Sequence, residues 1–198
     1  GRGGEVTPGR FGVAGFANAP VDSDGIVRQV PLTLRGSDGK NLPSLALAVA
    51  ARYAGYDAAR LETALNQNGA IKLNLPTWSR LDGKPVANDK AFSFAADETW
   101  RINFAGGQGS FATLPSGPLA QLAAANVPLA ADNPFHGKIV LIGASFQESR
   151  DFYPTPHGLL SGLEIHANII HTILTRSRIE PARQFLAFGL LLVFTLVS

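Results

Sequence analysis

The chain has 198 residues, 45% of them hydrophobic, which is enough for one domain with a substantial core. Its 17 basic and 15 acidic residues leave a net charge of +2 without a Lys/Arg-rich run, so the composition gives no support for a nucleic-acid partner. The absence of Cys excludes a disulfide framework, a thiolate zinc site and thiol catalysis, and it is compatible with an extracytoplasmic location.

The beginning of the chain is rich in Gly and shows no signal peptide, which predicts a flexible start over residues 1–10. Because the sequence contains no Met, we expect it to be a fragment of a longer protein. Residues 11–34 then contain two β-rich runs on either side of DSDG, a pattern that predicts a β-hairpin. Asp24 and Gly25 supply its turn because both residue types tolerate positive φ.

Two helices and a series of short elements should follow the hairpin. PSLALAVAARYA at 43–54 predicts a buried helix with Pro at its first turn and Gly55 beyond its end. Asp57 is placed to cap a second helix over residues 58–67. The next predicted elements are short strands at AIKLNL, AFSF and TWRINF, a flexible connector at GGQGS and an Ala- and Leu-rich helix over 116–126.

GKIVLIGAS, at 137–145, is the clearest candidate for a buried strand. Its apolar run Ile139–Ile142 is typical of a central strand that is covered on both faces. The interleaving of strands and helices along the chain therefore predicts one α/β domain, with a mixed α+β arrangement as the alternative.

The last predicted helix of the domain begins at Ser161. Ser161 and Glu164 form the pattern of a capping box, in which the Ser hydroxyl accepts from the Glu164 amide and the carboxylate reaches back. His166 and His171 are about 140° apart around this helix, so they are poorly placed to bind one metal ion together. We expect His166 to be a half-buried imidazole that hydrogen-bonds to a neighbouring loop, with Asp151 as a candidate partner.

An enzymatic site is the alternative that these residues leave open. Ser145, Asp151 and either His157 or His166 supply the residue types of a hydrolase, but LIGASFQ lacks the G-x-S-x-G pattern and places no base beside Ser145. VDSDG at 21–25 begins like a calcium loop but lacks the later carboxylates, which favours a turn.

The chain ends in FLAFGLLLVFTLVS, residues 185–198, which has 14 positions without a charge. A membrane-spanning helix needs roughly 20 apolar residues. The run is therefore a buried soluble helix or the first part of a span, and its composition favours the span. Arg176, Arg178 and Arg183 precede it and by themselves favour the cytoplasmic side; in an extracytoplasmic domain they would instead meet lipid headgroups.

Together these motifs resemble the type-two CHASE domain, an extracytoplasmic sensory domain associated with nucleotide cyclases and histidine kinases. The resemblance covers about residues 11–175 and rests on the order of its motifs, which are GFANAPVDSDGIVRQVPL (15–32), PSLALAVAARYAG (43–55), INFAGG (102–107), GKIVLIGAS with the later Asp and TP (137–156), and LSGLEIHANIIHTIL (160–174). The matching residues are Gly15, Phe16, Asn18, Asp22, Asp24, Gly25, Arg28, Pro31 and Leu32, then Gly143, Asp151 and Pro156, and finally Gly162, His166, Ala167 and Asn168.

The resemblance implies a sensor without catalysis or a cofactor in this chain. Domains of this kind lie outside the membrane, after one N-terminal span and before a group of further spans, so Phe185 stands where the first of those should begin. The effector, a cyclase, histidine kinase or Ser/Thr kinase, would follow Ser198. We therefore predict a sensor domain over 11–175, a linker over 176–184 and the start of a truncated transmembrane helix at 185–198.

A small molecule or a physical stimulus would act on this sensor. The candidate ligand-binding residues are Asp22, Asp24, Arg28, Asp151 and His166, although an Arg–Asp pair that braces the hairpin would use the same residues. From the receptor class we also expect a homodimer. The alternatives are a small extracytoplasmic hydrolase or metal-binding enzyme, and a soluble partner-binding scaffold in which 185–198 is a packed helix.

Overall fold

The computed structural model describes residues 12–82, 84–87, 90–125, 133, 135–144 and 150–180. The predicted flexible start, the apolar run 185–198 and Ser145 lie outside these residues. Within the described part of the chain, no helix has the length and apolar character needed to cross a membrane.

The described residues form a mixed α/β fold of helices and small antiparallel sheets. The helices are α1 (Leu45–Tyr53), α2 (Ala58–Leu65), α3 (Ser116–Ala124) and α4 (Gly162–Leu174). The strands are β1 (Gln29–Pro31), β2 (Thr33–Arg35), β3 (Asn41–Pro43), β4 (Ile71–Leu73), β5 (Thr77–Trp78), β6 (Pro85–Val86), β7 (Phe92–Phe94), β8 (Thr99–Arg101), β9 (Phe152–Thr155) and β10 (Gly158–Ser161). They pair two by two, as β1 with β8, β2 with β3, β4 with β7, β5 with β6 and β9 with β10.

The two early helices form where the sequence predicts them, but the prediction that Pro43 lies in the first turn of α1 is wrong. Asp57 caps α2, because its Oδ1 accepts a hydrogen bond from the Arg60 amide at 2.8 Å. The cap of α1 is Ser44, whose Oγ accepts from the Leu47 amide at 3.2 Å, so Pro43 precedes the helix and lies in β3. Gly55 follows α1 with φ of +85°, a left-handed value that glycine adopts without strain.

The core is formed where α1 packs against α4. The Ala-rich face of α1 lets the two helices approach closely, and the Ile side chains of α4 fill the space between them. On the sheet side, the Phe92 ring lies 5.0 Å from the Trp100 ring and 5.3 Å from the Phe94 ring. The fully buried core residues include Leu32, Leu47, Leu61, Leu65, Leu73, Phe92, Leu160, Ile165, Ile169, Ile173 and Leu174.

The predicted N-terminal hairpin is only partly correct. The turn closes as expected, with the Gly25 amide bonded to the Asp22 carbonyl at 2.9 Å and Gly25 at φ of +82°. The second run, however, pairs with β8, where Val30 lies opposite Trp100. Burial of this apolar pair explains the choice of partner, because both side chains are at most 5% exposed.

The predicted central strand at 137–145 is wrong over its described residues. Residues 138–144 have no regular secondary structure and belong to none of the sheets formed by the described residues. Ile139 and Leu141 pack against the core, whereas Val140 and Ile142 are 50% and 88% exposed. The apolar run is therefore covered on one side, and a central strand needs a hydrogen-bonded neighbour on each edge.

Candidate functional site

The turn at Asp22–Gly25 forms one side of an open cleft of about 500 Å³. Arg28 reaches back across the turn, with Nη2 2.7 Å from Asp24 Oδ2 and Nη1 3.1 Å from Asp22 Oδ2. Gln29 adds a bond from Nε2 to Asp22 Oδ1 at 2.9 Å. The structure thus brings Asp22, Asp24 and Arg28 together, as an ion-pair cluster that braces the turn.

The electrostatics of this cluster show that its charged groups stabilise one another. The hydrogen bonds from Arg28 hold the pKa of Asp24 below its ordinary value, and those from Asp24 and then Asp22 raise the pKa of Arg28. One guanidinium therefore faces two carboxylates at the surface. The groups brace the turn, and a ligand would have to compete with these bonds to use Arg28.

The other two candidate residues, Asp151 and His166, both lie near the beginning of α4. The Asp151 carbonyl accepts a hydrogen bond from the Gly162 amide at 2.9 Å, and its carboxylate lies against the Cα of Gly162. A hydrogen bond to this carboxylate also contributes to the raised pKa of Tyr153, after burial and the charge of Asp151. A negative side chain at a helix N-terminus is stabilised by the helix dipole.

His166 is a half-buried imidazole, as predicted. Burial lowers its pKa, while a hydrogen bond with the backbone of Ala17 and the negative charge of Asp151 oppose this effect. The hydrogen-bonding partner is thus the segment before the DSDG turn. Its Nδ1 is buried and has no partner within the described part of the chain, so burial favours the neutral ring.

The capping box of α4 is confirmed and extends to a second loop. The Glu164 amide bonds to Ser161 Oγ at 3.3 Å, and Glu164 Oε2 accepts from the Ser161 amide at 3.1 Å. The other carboxylate oxygen accepts from the Gly109 amide at 3.0 Å. The GGQGS connector is thereby fixed to the start of the helix, and Glu164 has a structural role.

A buried polar pair on α4 fixes the INFAGG segment. Asn168 Oδ1 accepts a hydrogen bond from the Ala105 amide at 2.8 Å, and Thr172 Oγ1 accepts from the Asn103 amide at 3.0 Å. Both side chains are at most 2% exposed. These two buried side chains therefore hold the INFAGG segment against α4.

Backbone contacts connect the two clusters. The Val27 amide, one residue before Arg28, bonds to the Pro154 carbonyl in β9 at 2.8 Å. The hydrogen bond between His166 and Ala17 joins α4 to the segment on the other side of the turn. The DSDG turn, the 151–158 loop and the start of α4 therefore form one connected surface.

The C-terminal end of α4 closes with a Schellman motif at an unusual residue. The Ser177 amide bonds to the Thr172 carbonyl at 3.1 Å and the Arg176 amide to the Ile173 carbonyl at 3.3 Å. Arg176 occupies the left-handed position, with φ of +52°, where glycine is usual. Its guanidinium stacks 4.6 Å above the Phe92 ring and donates to the Leu75 carbonyl at 3.0 Å.

The residues that follow α4 continue along β8. Arg178 forms an ion pair with Glu98 and lies 4.9 Å above the Trp100 ring. Ile179 bridges to Arg101, with its amide 3.3 Å from the Arg101 carbonyl. Arg176 and Arg178 thus bind groups of the domain itself, where the sequence suggested lipid headgroups, and residues 176–180 pack on the domain.

Several residues of this arrangement were not identified from the sequence. Arg101 lines the cleft beside Gln29, its partner in the β1–β8 pairing. Tyr153 joins Asp151, and Glu98 joins Trp100 and Arg178. No local motif marks them, and the contacts of Arg101 with Gln29 and of Glu98 with Arg178 join residues that are distant in sequence.

The enzymatic alternative gains no support from the described residues. Among them, no three His, Asp or Glu side chains are grouped so that they could hold a metal ion. Asp151 contacts the helix start and Tyr153, while the His157 ring packs 5.9 Å from the Phe104 ring. Ser145 lies outside the described residues.

A protein-family model described as the CHASE2 domain matches residues 5–198. The match spans the DSDG turn, the INFAGG segment, α4 and the residues after it. No curated protein and no solved structure gave a significant match to the chain.

Proposed function

The chain belongs to the CHASE2 family of extracytoplasmic sensory domains, and from this premise we propose that it is the sensor of a membrane receptor whose output passes along α4. A stimulus at the surface formed by the DSDG turn and the 151–158 loop changes the position of α4. The segment 175–180 transmits that change to the apolar run at 185–198, which enters the membrane. The effector beyond it is a nucleotide cyclase or a histidine or Ser/Thr kinase, and the receptor is a homodimer.

The observation that supports this proposal is the placement of α4 between the two ends of the path. At its start, α4 contacts the DSDG segment through His166 and Ala17, and the 151–158 loop through Gly162 and Asp151. At its end, the Schellman motif and the bridge between Ile179 and Arg101 hold residues 176–179 against β8. A rigid helix held at both ends transmits a displacement better than a free linker does.

Signalling also requires two states that bind the stimulus differently. The contacts of residues 176–179 with the domain can break and form again, because surface ion pairs such as Arg178–Glu98 are each worth at most about 1 kcal/mol. A stimulus therefore needs only a modest difference in binding energy between the states.

The location and the output are tested in the full-length protein. Because the chain contains no Cys, Leu81→Cys, at a position that is 98% exposed, gives this domain a single reporter thiol. We expect a membrane-impermeant maleimide to label it in intact cells. Labelling only after lysis would contradict the proposed topology.

The coding sequence beyond Ser198 tests the effector. Further apolar spans followed by a cyclase or kinase domain would support the receptor and name its output. A stop codon or a polar continuation directly after Ser198 would contradict the proposed connection to the membrane.

A further inference from the structure

Four charged side chains line the DSDG cleft, Asp22, Asp24, Arg28 and Arg101, and the ion pairs among them join only the first three. Arg28 is bound by both aspartates, and their oxygens are further occupied by Gln29 and by the Ile26 amide. The other guanidinium that lines the cleft is that of Arg101. Among the described residues it has no hydrogen bond, ion pair or ring contact, although Arg28, Arg176 and Arg178 all have one.

The position of Arg101 is fixed by its strand. β8 exposes Thr99 and Arg101 and buries Trp100, so the Arg101 side chain is on the solvent side of a short, well-anchored strand. Gln29 lies directly across from it, and Pro20 and Val21 supply apolar surface at the same cleft. The cleft therefore combines a free guanidinium, a polar amide and a small apolar wall.

We propose that this cleft binds a small organic anion, with one carboxylate on Arg101 and an apolar body against Pro20 and Val21. A guanidinium donates two parallel hydrogen bonds to a carboxylate, which makes it the side chain best suited to that group. Asp22 and Asp24 line the same cleft and repel an anion in proportion to its charge, so a monocarboxylate is favoured over a phosphate. This inference rests on the proposed sensory function and names its ligand class.

Arg101 also connects the cleft to the residues that follow α4. The Arg101 side chain faces the cleft, and its backbone carbonyl accepts the hydrogen bond from Ile179. Its neighbour Trp100 lies under the Arg178 guanidinium. An anion that draws Arg101 into the cleft therefore acts on the strand that holds residues 178–179.

Benzoate, acetate, inorganic phosphate and benzylamine are the probes, titrated separately into the purified 198-residue chain at fixed ionic strength. We expect benzoate to bind with a Kd on the order of 1 mM or tighter, acetate and phosphate more weakly, and benzylamine not at all. Calorimetry measures the binding. In the Trp78→Phe variant Trp100 is the only tryptophan of the chain. Its fluorescence reports whether binding changes the surroundings of the Trp100 ring, which lies under Arg178.

Arg101→Gln should weaken benzoate binding about tenfold or more, and Arg101→Lys by less. Arg35→Gln is the matched control, because Arg35 is also an exposed arginine on a strand but does not line the cleft. Absence of benzoate binding, equal binding by Arg101→Gln, or tighter binding of phosphate would each overturn the inference. If these results occur while Leu81→Cys is labelled in intact cells, the ligand class fails and the sensory function stands.

Discussion

The carboxylate of Asp151 occupies the space that a side chain at position 162 would need. A Cβ on Gly162 would overlap the carboxylate, with Asp151 Oδ1 only 2.7 Å away. The glycine of LSGLEIH is therefore required by a close contact at the start of α4, between two motifs that are separate in the sequence.

Gly162→Ala should destabilise the domain by about 1–3 kcal/mol, because the methyl group displaces the carboxylate or the helix. Urea unfolding of the two proteins measures the change. Gly117→Ala is the control, since Gly117 also lies in the first turn of a helix and has open space around it; there the added methyl should stabilise by up to about 1 kcal/mol. Combining Gly162→Ala with Asp151→Ala should recover part of the loss, and strict additivity would argue against the contact.

Acid should weaken the fold through the two histidines of α4. Burial lowers the pKa of His166 and of His171 below the ordinary value of 6.5. The unfolded chain then binds more protons than the folded one, so the stability present above about pH 6.5 falls as the pH drops toward the lowered folded pKa values. His166→Gln should reduce this dependence between pH 7.5 and 5.5, leaving the part due to His171.

The control for this pH experiment is His136→Gln, because His136 is exposed. If His166→Gln and His136→Gln behave alike, the imidazole of His166 does not carry the acid sensitivity.

Arg176 has a left-handed backbone conformation, and its side chain is held by the Phe92 ring and the Leu75 carbonyl. Arg176→Ala loses the Phe92 stacking and the Leu75 hydrogen bond but retains the unfavourable φ, whereas Arg176→Gly loses the same contacts and relieves the backbone. We expect Arg176→Ala to be less stable than Arg176→Gly by about 1 kcal/mol in urea unfolding. Equal stabilities would show that the turn at residues 175–177 opens when the arginine is removed.

The buried amide of Asn168 should be among the most sensitive positions of α4. Asn168→Ala removes a buried side chain that bonds to the Ala105 amide and to the Glu164 carbonyl, which costs about 1–3 kcal/mol. Thr63→Ala is a milder control on an exposed helix position, where the hydroxyl bonds only to the Ala59 carbonyl. A loss for Asn168→Ala no larger than that for Thr63→Ala would contradict the bracing role.

Signalling and folding roles of the Asp151 cluster are separable in the full-length receptor. Asp151→Ala and His166→Ala are compared for unfolding free energy and for effector output. If the cluster transmits the stimulus, output should change by more than the lost stability explains. Output that simply follows the folded fraction would make both residues structural.

The sequence by itself determined the local elements and the family. The helices capped by Asp57 and Ser161 follow from capping residues next to apolar periodicity, and the DSDG turn follows from a glycine that accepts positive φ. These features depend on residues a few positions apart, so the sequence shows them directly.

Only the tertiary structure decided which distant residues and strands pair with one another. The run that precedes β2 pairs with β8 because Val30 and Trp100 can then be buried together, and the apolar segment at 138–144 is covered on one side only. The same pairing places Arg101 at the cleft while the carboxylates of the turn neutralise Arg28. Such choices depend on burial and charge balance between distant residues, which no local pattern encodes.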